Sequence, residues 1–396
     1  MRGCWCSAIY AGFQAHRLTS RRERRISQER ENAKASHGTA GMSVPPQERP
    51  PSWQQGPWPP QPPPPLPAKD NTVKWLLIAV AILLVITVSV GATLYFTRDS
   101  GNGGSTTSSP AVASDVASAN DTGPVAIIAE EPTCEAFIDI YNALADVQSQ
   151  GWNAERRTLG PASDWTPDQR EHVESVATAL RNATDQTVPL AKKTPHRVIR
   201  ELYEQFIAYG RAYADAVPNY TAADGYLAGT NVAIGNTLKG VCNSITYKSH
   251  TRSLAIETAS KPTSVAAVGN PADPHRFVSS SDSTCATWIS NDEKFGAGTA
   301  DWEKLDPNVP GSQWTPEQRA VALAAFPAFT TLAKDMESTG RQSKNSVFED
   351  FAVLGALYLR AYVSAGETYT LTDSWLSYTG LRINNVISAA CRQSGN

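Results

Sequence analysis

The sequence predicts an all-α protein: a single transmembrane helix followed by two tandem, internally repeated domains, each resembling a four-helix bundle. Three observations carry this. Residues 75–96 read WLLIAVAILLVITVSVGATLYF, without a charge; at about 1.5 Å per helical residue the run covers the ~30 Å hydrocarbon core of a bilayer. Residues 165–242 align with 314–391 at a constant offset of 149, without a gap, giving 20 identities in 78 positions. Four cysteines, Cys134, Cys242, Cys285 and Cys391, bracket the two copies.

Residues 1–73 form the first element, a tail with no apolar period to bury, expected to be disordered and cytoplasmic. It holds ten Lys or Arg residues and Lys74 adds an eleventh, whereas after Arg98 the next basic residue is Arg156. Basic residues are retained on the inner side, so the C-terminal domains are expected outside the cell membrane. Residues 1–41 are Arg-rich, and Met42 is an alternative start that would leave them untranslated. Cys4 and Cys6 lack further ligands for a metal. Residues 45–67 are proline-rich, which dictates an extended, solvated helix: either a spacer or a ligand for a polyproline-binding partner inside the cell.

The span itself occupies residues 74–97, with Trp75 at one end and Tyr95 and Phe96 at the other as interfacial anchors. It is longer than the apolar region of a cleaved signal peptide and begins too far into the chain for one, so an uncleaved signal anchor is predicted. Residues 42–70, the span, and the Ser/Gly/Ala-rich run after it resemble the proline-rich single-pass membrane proteins of mycobacteria and related actinobacteria. That resemblance implies a cell-envelope location and brings no assigned activity with it.

Residues 98–131 are small and polar and read as a flexible linker. From Arg98 onward the chain carries 24 basic against 33 acidic side chains, which argues against nucleic acid as a partner. The first copy is placed at 132–245 and the second at 283–393, joined by a linker over 246–282. Within them WTPDQR (Trp165 to Arg170) answers WTPEQR (Trp314 to Arg319), Arg211-Ala-Tyr213 answers Arg360-Ala-Tyr362, and Tyr220-Thr221-x-x-Asp224 answers Tyr369-Thr370-x-x-Asp373.

Each copy reads as four helices. Phe137, Tyr141 and Leu144 trace the first. Thr166-Pro167-Asp168-Gln169 is a helix start, with threonine as N-cap, proline at the first position and glutamine closing a capping box. Val198, Ile199, Leu202, Phe206 and Tyr209 form one stripe of a third helix, and Thr221-x-x-Asp224 opens a fourth. The second helix of copy 2 carries no charge between Arg319 and Lys334. A helix apolar all round is expected to be sandwiched, here between the copies, with a kink at Pro327.

The cysteines occupy matching positions, 108 and 106 residues apart. On the oxidising side of a membrane they predict one bridge within each copy, Cys134–Cys242 and Cys285–Cys391; bridges across the copies are the alternative. No cofactor is expected, and no metal, because the histidines of one copy have no counterparts in the other.

No nucleophile elbow, phosphate loop or metalloprotease pattern occurs, and no catalytic residue is assigned. The polar and aromatic identities left as candidates are Arg211, Tyr213, Arg360, Tyr362, Trp165 and Trp314. They have two readings: arginines bridging helices with aromatics packed around them, or a cationic, aromatic-lined pocket for an anionic or sugar-like ligand. The sequence therefore favours a non-enzymatic, membrane-anchored extracytoplasmic protein that binds an envelope protein or wall component. The alternative is a carrier of a lipid or small hydrophobic molecule, with its pocket inside the helical bundles.

Overall fold

The computed structural model describes residues 115–280 and 282–395. The N-terminal tail, the proline-rich stretch and the span at 74–97 lie outside the described residues. Among those that are described, no helix is long and apolar enough to cross a membrane.

Copy 1 contains α1 (Cys134–Gln148), α2 (Pro167–Lys193), α3 (Arg197–Ala216) and α4 (Gly225–Thr246). Copy 2 repeats them as α5 (Cys285–Gly298), α6 (Pro316–Gln342), α7 (Ser346–Ala365) and α8 (Ser374–Gln393). No strand occurs among the described residues. The helix starts lie where the capping chemistry puts them. Thr166 and Thr315 each accept from the backbone N–H three residues on, and Gln169 and Gln318 reach back to close the box. The boxes at Thr221 and Thr370 cap a 3-10 turn first, Ala222–Asp224 and Leu371–Asp373, and α4 and α8 begin at the following residue. α2 and α6 run through Pro189 and Pro327 without ending.

Burial follows the periodicity. Phe137, Tyr141 and Leu144 of α1 are inside, as are Ile199, Leu202, Phe206 and Tyr209 of α3. One disulfide closes each copy, Cys134–Cys242 and Cys285–Cys391, with Cα atoms 5.4 and 5.3 Å apart. Each ties the first helix of its copy to the fourth.

The copies meet through equivalent helices. The most extensive helix pair among the described residues is α4 against α8, and α3 touches α7. Like against like is what a two-fold relation between copies produces. The α4–α8 approach is close: a Cβ added at Gly240 would lie 2.4 Å from Thr379 Oγ1 and 3.3 Å from its Cα. Asn236 Oδ1 accepts from Tyr141 of its own copy and from Tyr378 of the other, both at 3.0 Å.

This corrects the expectation that α6 is sandwiched between the copies. α6 packs on α7 and α5 of its own copy. Phe329 is fully buried there against Phe295, Trp302 and Tyr362, and Phe326 rests on Tyr362. The charge-free run misled because much of it is alanine, whose small side chain leaves little apolar area to cover on the outward face.

Where α3 crosses α7 there is a buried ionic cluster. Arg197 donates to both carboxylate oxygens of Asp350, at 2.7 and 3.1 Å, and to the Asp121 carbonyl at 2.7 Å. Arg200 donates to Ser118 Oγ and to both oxygens of Glu204. Glu201 and Asp350 stand at repeat-equivalent positions, both fully buried. Neither oxygen of Glu201 receives a hydrogen bond. Burial first, and the charge of Asp350 second, hold Glu201 well above the usual carboxylate range. Arg200, 3.7 Å from Glu201 Oε1, pulls in the opposite direction.

Residues 256–280 run as a strap over both copies. Thr263 donates to Glu349 of α7 and Arg341 of α6 donates to the Lys261 carbonyl. Gln205 of α3 donates to His275 O and accepts from Phe277 N. The Phe277 ring sits between Tyr209 of copy 1 and Phe351 of copy 2, at 6.1 and 5.3 Å.

Candidate functional site

Four of the six candidate residues fall into two equivalent aromatic clusters, one per copy, completed by aromatics the gapless alignment did not reach. In copy 1, Trp152 Nε1 donates to Tyr213 OH at 2.9 Å and Trp165 Nε1 to the Gly160 carbonyl at 2.8 Å. Tyr220 bridges them, edge-on to Tyr213 and 5.2 Å from Trp165. In copy 2, Trp302 Nε1 donates to Tyr362 OH at 2.8 Å, and Trp314 Nε1 to the Val309 carbonyl at 3.0 Å. Tyr369 stacks on Trp314 at 5.7 Å and meets Tyr362 edge-on.

The two clusters differ in what covers them. In copy 1 the Arg156 guanidinium lies 5.2 Å from the Trp152 ring centroid and that of Arg170 lies 5.4 Å from Trp165, placements that favour a cation over an aromatic face. Trp152 is 1% exposed and Trp165 8%. In copy 2 the residue four places after the tryptophan is Asp306, where copy 1 has Arg156. Arg319, the counterpart of Arg170, pairs instead with Glu367, whose own counterpart in copy 1 is the uncharged Pro218. Among the described residues no guanidinium lies over Trp302 or Trp314, and both are partly exposed.

The result is a cleft in copy 2 with a cavity of about 50 Å³, lined by Trp302, Trp314, Tyr362, Tyr369 and Tyr378, with Glu303 and Asp306 among its lining residues. Tyr378 is the residue that reaches across to Asn236, so the cleft abuts the face between the copies. Glu303 is half-buried and makes no ion pair; burial holds its carboxyl above the usual range. The enclosed part of the cleft is small and opens to solvent, so it suits the end of a side chain entering from outside.

Arg211 and Arg360 do not join these clusters. Two residues along a helix is a rotation of about 200°, so each arginine faces away from the tyrosine two places on. Arg211 of α3 pairs with Asp185 at 2.7 Å and donates to the Ala272 carbonyl of the strap. Arg360 of α7 pairs with Glu337 at 2.6 Å and lines a groove with it against residues 256–260. Among the described residues no group of three His, Cys, Asp or Glu side chains could hold a metal ion.

Sequence reasoning missed Trp152, Trp302, Arg156 and Asp306. A one-residue difference in length separates Trp152–Trp165 from Trp302–Trp314. Anchoring the comparison on each tryptophan would have aligned all four.

Fold and site together define a duplicated, disulfide-tied helical protein in which one of two equivalent aromatic clusters stands open. The chain belongs to the mycobacterial ESX-1 associated protein family, whose model matches residues 116–395. It is 40% identical over 371 residues to an uncharacterized protein of Mycolicibacterium smegmatis (strain MKD8), an alignment covering 90% of this chain and 97% of the relative. No solved structure matches.

Proposed function

We propose that this is a membrane-anchored, extracytoplasmic, non-enzymatic protein of the cell envelope that serves ESX-1 secretion by binding a partner polypeptide at the copy-2 cleft. The single observation carrying the reading is the contrast between the clusters: the two tryptophans are sealed in copy 1 and partly exposed in copy 2. An aromatic cleft with a few polar groups is the usual composition of a binding site. Membership of the ESX-1 associated family supplies the ESX-1 context. The alignment with the M. smegmatis relative covers 90% of the chain, and so extends beyond the helical domains into the N-terminal part. The paired cysteines suit the oxidising side of the span at 74–97.

A photo-reactive residue placed at position 303 in the full-length chain, irradiated in intact mycobacterial cells, tests this. The expected product is a covalent adduct with a polypeptide. A lipid adduct would transfer support to the carrier reading, and the absence of any adduct would overturn binding at the cleft. Topology has its own check. An external protease is expected to remove the C-terminal domains from intact cells, and thiol reagents to label none of their four cysteines before reduction; protected domains with four reactive thiols would overturn the outward orientation.

A further inference from the structure

We infer that the copy-2 cleft receives a guanidinium, the side chain of an arginine on the partner polypeptide, in the place that Arg156 fills in copy 1. This rests on the reading of the cleft as a binding site and specifies what enters it.

Copy 1 shows the occupied form of the same architecture. There a cation supplied by the chain itself lies over Trp152, and its charge is felt at the hydroxyls of Tyr213 and Tyr220. Copy 2 keeps the counterparts Trp302, Tyr362 and Tyr369 and removes the cation. In its place stands the opposite charge, Asp306, four residues after the tryptophan, as Arg156 is in copy 1. Glu303, one residue after Trp302, adds a second carboxylate that no cation answers; burial without a counter-charge is the whole cause of its raised pKa. The nearest basic side chain in sequence, Lys304, is exposed and paired with Asp301 at 2.7 Å. Arg319 is held by Glu367.

The guanidinium of Arg382 lies over Tyr378, 4.8 Å from its ring centroid, and leaves Trp302 and Trp314 uncovered; those two rings, with two carboxylates beside them, are complementary to a flat, weakly hydrated cation that can lie on a ring and donate to a carboxylate at once. The cavity of about 50 Å³ takes one such head group. An anionic ligand, one of the readings the sequence left open, meets the wrong charge here.

The test is a titration of the full-length chain with N-acetyl-arginine amide and with the neutral, nearly isosteric N-acetyl-citrulline amide, read by tryptophan fluorescence. The arginine compound is expected to shift the emission and saturate; the citrulline compound is expected to bind at least about tenfold more weakly, the loss of a charge-assisted contact. Glu303→Gln with Asp306→Asn, which keeps shape and removes charge, should erase that difference. Asp306→Arg should close the cleft and abolish the response. Circular dichroism verifies that each variant is folded, and the shape-preserving pair decides the matter if Asp306→Arg does not fold. Equal binding of the two compounds, or a preference that survives the charge-removing pair, would overturn the guanidinium assignment while leaving the cleft as a binding site. Should neither compound bind, the assignment fails; whether the cleft reading fails with it is decided by the photo-adduct at position 303.

Discussion

Copy 1 and copy 2 share a helix plan, a disulfide and an aromatic cluster, yet they spend the cluster differently. In copy 1 two arginines lie over the tryptophans and the site is part of the core. In copy 2 one of those arginines has become Asp306 and the other has been drawn off by Glu367, and the same aromatics face a cavity. Duplication explains how this is tolerated: a sealed copy supplies stability and a face for α4 to pack on α8, leaving the other free to give up burial. The opening therefore follows from two charge changes rather than from a change of fold.

The largest expected effect probes how alike the copies are as scaffolds. Replacing Cys134 and Cys242 by serine, or Cys285 and Cys391, opens loops of 108 and 106 residues. Each replacement should cost about 4–5 kcal/mol on the chain-entropy model. Denaturant midpoints for the two double variants should nearly coincide; a large gap between them would mean that the copies are not energetically equivalent.

Next comes the ion pair that joins them. Asp350→Ala leaves Arg197 buried without its carboxylate and should cost about 3–5 kcal/mol by equilibrium unfolding. Its neighbour Glu201 gives a pH signature. The folded pKa of Glu201 is raised by burial and by Asp350, so its contribution is fully present below the unfolded carboxyl pKa. It declines as pH rises from there through the folded value. Glu204, raised by burial against the opposing pull of Arg200, acts in the same direction. Stability measured from acid to alkaline pH should therefore fall across that window, and Glu201→Gln should flatten the slope.

A smaller effect separates the clusters directly. Arg156→Ala uncovers Trp152 and should cost about 1 kcal/mol by equilibrium unfolding, whereas Asp306→Ala, at the equivalent position of copy 2 where no guanidinium covers Trp302, should cost less. Smallest of all, Arg211→Ala and Arg360→Ala each break a partly exposed pair and should change stability by about 1 kcal/mol or less, read as a shift in thermal midpoint. A much larger loss at either would give those arginines a role beyond surface pairing.

Much of the fold was legible because it is written locally. Thr166-Pro167-x-Gln169 and its repeat at Thr315 state where a helix begins, and Phe137, Tyr141 and Leu144 state which side is buried. Matching cysteines gave the bridges. The packing of α4 on α8 was not legible, because Gly240 and Thr379 announce closeness only once they are opposite one another. α6 was misplaced because a lack of charge was read as a demand for burial, and alanines make no such demand. Tyr213, Tyr362, Trp165 and Trp314 were found by identity between the copies, but identity is blind to the position that matters most for the site. Arg156 and Asp306 differ in sign, and it is the difference that opens the cleft.

The strap carries one more consequence. Between its anchors at Thr263, on Glu349, and Ala272, whose carbonyl accepts from Arg211, the chain is largely exposed, and a Cβ added at Gly269 would meet nothing within 4 Å. Both disulfides lie within their own halves. A single nick there would yield two polypeptides, each closed by its own disulfide, that stay joined through α4 on α8, the Arg197–Asp350 pair and the strap's contacts on either side of the cut. The molecule can accordingly be produced as a pair of complementing fragments, each bearing its own label.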